Sequence, residues 1–166
     1  MKIDITKQPY TPNGWTVESH DVSIKTFDPK KIELVNEVKD GETAITGTEY
    51  RARLEGKPVL NANVLDYLLK NLHLIPEDWK GKAIFFWGTI YRDSSGDLYV
   101  RYLDWYGGRW YWSCDWLDNG WSSNYPAALA STKNLKLRPS SDSLPFDPSA
   151  LVISYGEKKY KLVELT

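Results

Sequence analysis

The groups in this sequence that could do chemistry are one thiol, two imidazoles and a small crowd of side-chain oxygens. Cys114 as a nucleophile would need a base at hand to form its thiolate. The only histidines are His20 and His73, both far from it along the chain. His73 follows an apolar helical pattern and reads as a helix-end residue. A single cysteine makes no internal disulfide and cannot by itself build a zinc site. Asp115, Asp118 and Asn119 gather oxygens in one turn, as a calcium loop does, but no Glu-Pro-Asn or Trp-Asn-Asp triplet accompanies them. Asp93 and Asp97, around Ser94-Ser95-Gly96, read as turn formers. The expectation is a protein that is not an enzyme, with no catalytic residue, no metal and no cofactor.

Recognition is the chemistry that the residues favour. Between Asp104 and Tyr125 tryptophans stand at 105, 110, 112, 116 and 121, and the residues among them are almost all small, polar or Tyr. On a strand, residues two apart share a face, so Trp110 and Trp112 lie together while Tyr111 and Ser113 point the other way. Tyr offers contact area and a hydroxyl at little rotamer cost, and Ser, Gly and Asn adapt around it, as in antibody loops. A few such aromatic anchors, each worth about 2 kcal/mol or more when truncated, carry much of an interface.

The same stretch lacks something. From Ala83 through Thr132 there is no Lys, Glu, Gln or Met, although Lys and Glu are common on either side. Codons that began as Asn and changed only at their adenines yield Asn, Asp, Ser, Gly, Tyr, Cys and Arg among others, but never Lys, Glu, Gln, Met or Trp. The residues between the tryptophans fit that set.

Those side chains need a scaffold. The 166 residues are enough for one ordinary domain with a real core. Apolar residues make up 42% and charged residues 26%, a globular balance, but aromatics reach 14%. With 21 basic against 22 acidic residues, no long-range field gathers phosphate backbones, which argues against nucleic acid. No apolar run approaches the roughly eighteen residues of a membrane span, and the start, Met1-Lys2-Ile3-Asp4, does not read as a signal peptide. The location expected by default is therefore cytoplasmic or in a virion.

Residues 1–55 read as β-rich, with extended stretches at Val17–Ile24, Ile32–Val38 and Thr43–Arg53 between turns at Pro12-Asn13-Gly14, Asp28-Pro29 and Asp40-Gly41. Asn61-Ala62-Asn63 offers an N-cap to a helix whose stripe is Val64, Leu65, Leu68 and Leu69 and which ends near Asn71. Pro76-Glu77-Asp78-Trp79 reads as a short helical turn. Ala83–Tyr91 and Leu98–Trp105 form a hairpin across Asp93–Asp97. Tyr106-Gly107-Gly108 leads into Arg109–Asp115, and Leu117–Gly120 turns towards Trp121, giving a meander of three or four antiparallel strands. Leu151–Tyr155 and Tyr160–Glu164 read as a final hairpin that pairs with the N-terminal strands. The class is α+β.

Taken together, Phe86-Trp87-Gly88-Thr89-Ile90-Tyr91-Arg92-Asp93, Trp105-Tyr106-Gly107-Gly108-Arg109-Trp110 and Trp121-Ser122-Ser123-Asn124-Tyr125-Pro126-Ala127-Ala128-Leu129-Ala130-Ser131 resemble the frame of the variable target proteins of diversity-generating retroelements. The resemblance spans roughly 60–131, with Leu60–Lys82 as the helical part. It implies a C-type lectin-like fold in a single domain, 1–166, with its core at 60–131, a variable region at about 102–130, and a C-terminal extension at 132–166. It also implies that an error-prone reverse transcription rewrites a surface patch. Carried over position by position, Asp104, Tyr106, Tyr111, Ser113, Cys114, Asp115, Asn119, Gly120, Ser122, Ser123, Asn124 and Tyr125 are the variable, ligand-facing sites. Trp105, Trp110, Trp112, Trp116 and Trp121 are scaffold. The partner implied is a macromolecule, a protein first, with a glycan stacked on the same aromatic patch as the alternative.

Overall fold

The computed structural model describes residues 3–24 and 28–131, together with the main chain of 152–155 and 158–161. Its elements run β1 (Thr16–His20), β2 (Ile32–Val35), β3 (Ile45–Thr46), α1 (Gly47–Arg53), α2 (Ala62–Lys70), two 3₁₀ turns (Leu72–Leu74 and Glu77–Trp79), β4 (Ile84–Arg92), β5 (Leu98–Tyr106), β6 (Arg109–Trp116), β7 (Gly120–Trp121), β8 (Ala127–Ala130), β9 (Val152–Tyr155) and β10 (Lys158–Lys161). The class is α+β.

The unbroken apolar run of β4 marks a strand covered on both faces, and every residue from Ile84 to Tyr91 is buried. It lies inside a six-stranded sheet of order β2-β8-β4-β5-β6, with β1 also paired to β4. On one face Ile84, Phe86 and Leu103 pack with Val64, Leu65 and Leu68 of α2 and with Trp79. On the other, Phe85, Trp87, Val100 and Trp121 pack with Tyr50 of α1 and with Leu54. Each helix thus seals one side of the sheet.

Helix α2 follows its sequence signals. The Asn61 side chain accepts a hydrogen bond from the Asn63 N–H, capping the start, and Val64, Leu65 and Leu68 form the buried stripe. Thr43–Arg53, in contrast, is not one extended stretch. Only Ile45–Thr46 is strand, and α1 begins at Gly47, its first turn capped by the Thr46 hydroxyl, which accepts from the Glu49 N–H at 3.2 Å.

The meander is β4, β5 and β6, all antiparallel. Strand β7 does not continue it; Ile45 of β3 faces Trp121 of β7 instead. Segment Ala127–Ala130 is a buried strand between β2, to which it runs antiparallel, and β4, to which it runs parallel.

The chain divides into two compact units, Met1–Thr132 and Lys133–Thr166. In the second, β9 and β10 pair antiparallel, from Tyr155 opposite Lys158 to Val152 opposite Lys161, so the second strand begins two residues before the expected Tyr160. Within the first unit β1 pairs with β4 and β2 with β8.

Candidate functional site

The period of two that the sequence sets up for β5 and β6 fixes what each face carries. In register, Tyr102 lies opposite Ser113, Asp104 opposite Tyr111 and Tyr106 opposite Arg109, while Arg101 lies opposite Cys114, Leu103 opposite Trp112 and Trp105 opposite Trp110. Alternation puts Asp104, Tyr106, Tyr111, Ser113 and Asp115 on one face with Tyr102, and the indoles of Trp105, Trp110 and Trp112 on the other.

On the first face the Tyr111 hydroxyl donates to Asp104 Oδ2 at 3.0 Å, and the Tyr106 and Tyr111 rings meet edge to face at 6.5 Å. Tyr106 is 74% exposed. Partial burial, then the neighbouring Asp104 carboxylate, raise the Tyr111 phenol above its ordinary value. Asp104 also accepts from the Trp105 N–H at 2.7 Å, so one carboxylate ties main chain to side chain at the hairpin end.

The second part of the site is the chain from Asp115 to Tyr125. Asp115 Oδ1 accepts from the Trp116 N–H at 2.8 Å and from Asn119 Nδ2 at 2.6 Å. The loop Ser122–Tyr125 closes through a Tyr125 N–H to Ser122 O bond of 3.1 Å. Its carbonyls are gripped from outside: Asn36 Nδ2 donates to Ser123 O at 2.6 Å, and the Tyr50 hydroxyl donates to Tyr125 O at 3.0 Å. Burial pushes the Tyr50 phenol up to about 12, which keeps it a donor throughout the neutral range. The Tyr125 ring packs edge to face on Phe85 at 5.7 Å and on Trp121 at 6.0 Å, and Phe85 in turn meets Tyr102 at 4.7 Å. Tyr102 and Tyr125 thus share one aromatic floor.

None of the expected variable side chains is fully buried. Tyr106, Asn119, Gly120, Ser123 and Asn124 are exposed, and Asp104, Tyr111, Ser113, Cys114, Asp115, Ser122 and Tyr125 are half-buried. Cys114, however, lies on the indole face of β6, opposite Arg101 rather than beside Ser113; burial raises its thiol above the ordinary range. The tryptophans are not one uniform scaffold. Trp121 is fully buried, Trp105, Trp110 and Trp112 are half-buried, and Trp116 is 36% exposed. Trp121 alone among them sits wholly in the core because β7 folds back under α1, whereas the β6 indoles cover the sheet's edge.

The groups weighed for catalysis lie apart. His20 Nε2 is 3.2 Å from the Ile5 carbonyl, which can only accept, and Nδ1 is 2.8 Å from Thr89 Oγ1. The imidazole thereby ties β1 to β4. His73 is exposed in its 3₁₀ turn. Among the described residues, no three His, Cys, Asp or Glu side chains come together as metal ligands.

Three contributors to this surface were not picked out from sequence. Tyr102 was legible by counting back two from Asp104. Asn36 and Tyr50 reach the loop from distant segments, and no local pattern announces that. No known protein family, curated protein or solved structure matches this chain.

Proposed function

We propose that this chain is a ligand-binding protein whose face built from Asp104, Tyr106, Tyr111, Ser113, Asp115 and the 119–125 loop is a diversified surface, generated by a diversity-generating retroelement on a C-type lectin-like scaffold, and that its partner is a protein. One observation carries the reading. The loop's main chain is held by Asn36 and Tyr50, outside the segment, and anchored by buried Trp121, so the side chains of Ser123 and Asn124 can change while the backbone keeps its course. The hairpin supports it in the same way, since its shape rests on main-chain pairing along β5 and β6. Exposed tyrosine among small polar residues is the composition of adaptable paratopes, and such a patch suits the centre of an interface of roughly 800 Å² per partner.

The test is a library randomised at Tyr106, Tyr111, Ser113, Asn119, Ser123 and Asn124. Most members are expected to keep a cooperative melting transition while their binding preferences diverge. A library that is mostly unfolded would overturn the reading. A reverse transcriptase gene beside a near-copy of the codons for about 102–130, differing only at adenines, is the expected genetic companion. A wild-type surface that binds one sugar class through Tyr106 and Tyr111, and loses all binding in every library member, would make it a fixed glycan module instead.

A further inference from the structure

Strand β6 ends the six-stranded sheet, and among the described residues no strand pairs with its outer edge. Which of its main-chain groups face outwards follows from its ladder with β5. The Leu117 N–H donates to Leu98 O at 2.9 Å, which extends the β5–β6 register by one pair and fixes its phase. Hydrogen-bonded pairs alternate along an antiparallel ladder, so Arg109, Tyr111, Ser113 and Asp115 bond to β5. The N–H and C=O groups of Trp110, Trp112 and Cys114 point away from β5 and have no partner among the described residues. The Trp116 N–H also points outwards, but Asp115 Oδ1 accepts from it.

A row of unpaired main-chain groups is a template for another strand, and sheets guard against it with short strands, bulges, Pro or Lys. The other edges here are guarded in that way. Strand β2 is four residues long, and β1 carries a bulge between Val17 and Ser19. Strand β6 has none of these devices. It runs eight residues in unbroken register, without Pro or Lys, and its charges, Arg109 and Asp115, stand towards its two ends.

We infer that β6 pairs antiparallel with β6 of a second copy of this chain, about a two-fold axis at Trp112. Such an axis keeps each face of the sheet with itself, so odd positions meet odd and even meet even. Centred on Trp112, the pairing sets Trp110 opposite Cys114 and Tyr111 opposite Ser113, a large side chain against a small one each time. It also sets Arg109 of one protomer opposite Asp115 of its partner. Arg109 is exposed and makes no ion pair among the described residues, while Asp115 spends only Oδ1 within its own chain, which leaves Oδ2 for that guanidinium. An axis at Tyr111 or at Ser113 would leave both charges unmatched. The inference rests on this edge and not on the diversified reading. Where both hold, Tyr111 and Ser113 of two protomers join on one side of a continuous sheet, and changes at those positions leave the main-chain pairing intact.

Sedimentation velocity and amide hydrogen exchange on the full-length protein test this together. The protein is expected to pass from monomer to dimer between micromolar and millimolar concentration. Over the same range the amides of Trp110, Trp112 and Cys114 should gain protection, while those of Tyr111 and Ser113, bonded to β5, are protected throughout. Arg109→Asp puts like charges opposite each other at both ends of the pairing and is expected to raise the dimer Kd by about ten- to a hundredfold, with the melting temperature of dilute protein unchanged. Adding Asp115→Arg restores opposite charges and is expected to bring the Kd back to within about threefold of the parent. A parent that stays monomeric at every concentration overturns the inference. So does a dimer in which the Trp110, Trp112 and Cys114 amides gain no protection, an Arg109→Asp protein that dimerises as tightly as the parent, or a double variant no tighter than Arg109→Asp alone.

Discussion

The Tyr111 hydroxyl donates to Asp104 across the β5–β6 hairpin at 3.0 Å, joining two side chains of the face on which Tyr106 stands most exposed. Partial burial and the carboxylate both disfavour the phenolate, so Tyr111 titrates above the ordinary 10. Asp104→Asn removes the charge and is expected to bring the Tyr111 titration down towards 10, read from its ring carbon shifts against pH. The same substitution should leave the melting temperature within about 3 °C of the parent, as surface changes do. An unchanged Tyr111 titration would mean that burial alone raises it.

Two glycines separate positions that can change from positions that cannot. A Cβ on Gly47 would lie 2.5 Å from Leu117 O and 2.6 Å from Trp121 Nε1, whereas on Gly120 the nearest atom is Ala44 Cβ at 3.6 Å, an ordinary contact. Gly47→Ala is therefore expected to destabilise by about 1–3 kcal/mol through overpacking, and Gly120→Ala by no more than about 0.5 kcal/mol. Urea unfolding of both variants checks the order. Equal losses would show that the backbone at Gly120 is as constrained as the core, which would remove Gly120 from the changeable positions.

Part of the fold is legible in the sequence because one local signal decides it. Helix α2 had a cap and an apolar stripe, and β4 to β6 had turns at Asp93–Asp97 and Tyr106–Gly108. The two faces of β6 followed from alternation. Failures came where tertiary contacts decide. Ile45, Thr46 and Thr48 gave Thr43–Arg53 a strand-like composition, but Tyr50 and Leu54 are needed under the sheet, and a helix delivers both to the same face. The signal that could have found α1 was Thr46 with Glu49 three residues on. The resemblance puts Cys114 among the ligand-facing residues, although its even spacing from Trp110 and Trp112 assigns it to the indole face, opposite Arg101. Trp116 and Trp121 have the same side chain and opposite exposure, which depends on where β7 goes.

Acid should expose a second dependence, at Glu42. Arg53, donating to both of its oxygens at 2.6 and 2.8 Å, and the Lys39 N–H hold the Glu42 carboxyl at about 2 against an ordinary 4.5. A carboxylate depressed in the folded state adds stability above its unfolded value and loses it as pH falls through the folded one. The difference in melting temperature between the parent and Glu42→Gln is therefore expected to be constant above about 4.5, to shrink below that, and to vanish near 2. Thermal unfolding across that range checks it. A difference independent of pH would mean that the pair contributes through packing rather than charge.

Arg101 is the other charged anchor, and its position makes an asymmetric prediction. Its guanidinium, 1% exposed, pairs with Asp66 of α2 at 2.7 Å and lies under the Trp112 ring at 4.2 Å, while Asp66 keeps 25% of its side chain in solvent. Asp66→Ala strands a buried cation and is expected to cost about 3–5 kcal/mol. Arg101→Met leaves a carboxylate that water can reach and puts an apolar chain under Trp112, so its cost should be smaller, about 1–2 kcal/mol. The double variant should then be more stable than Asp66→Ala alone, because no charge remains buried. Urea midpoints at unchanged slope measure all three. If Arg101→Met proves the worse single change, the guanidinium's contact with Trp112 inside the hairpin, rather than its pairing with Asp66 of α2, carries its contribution.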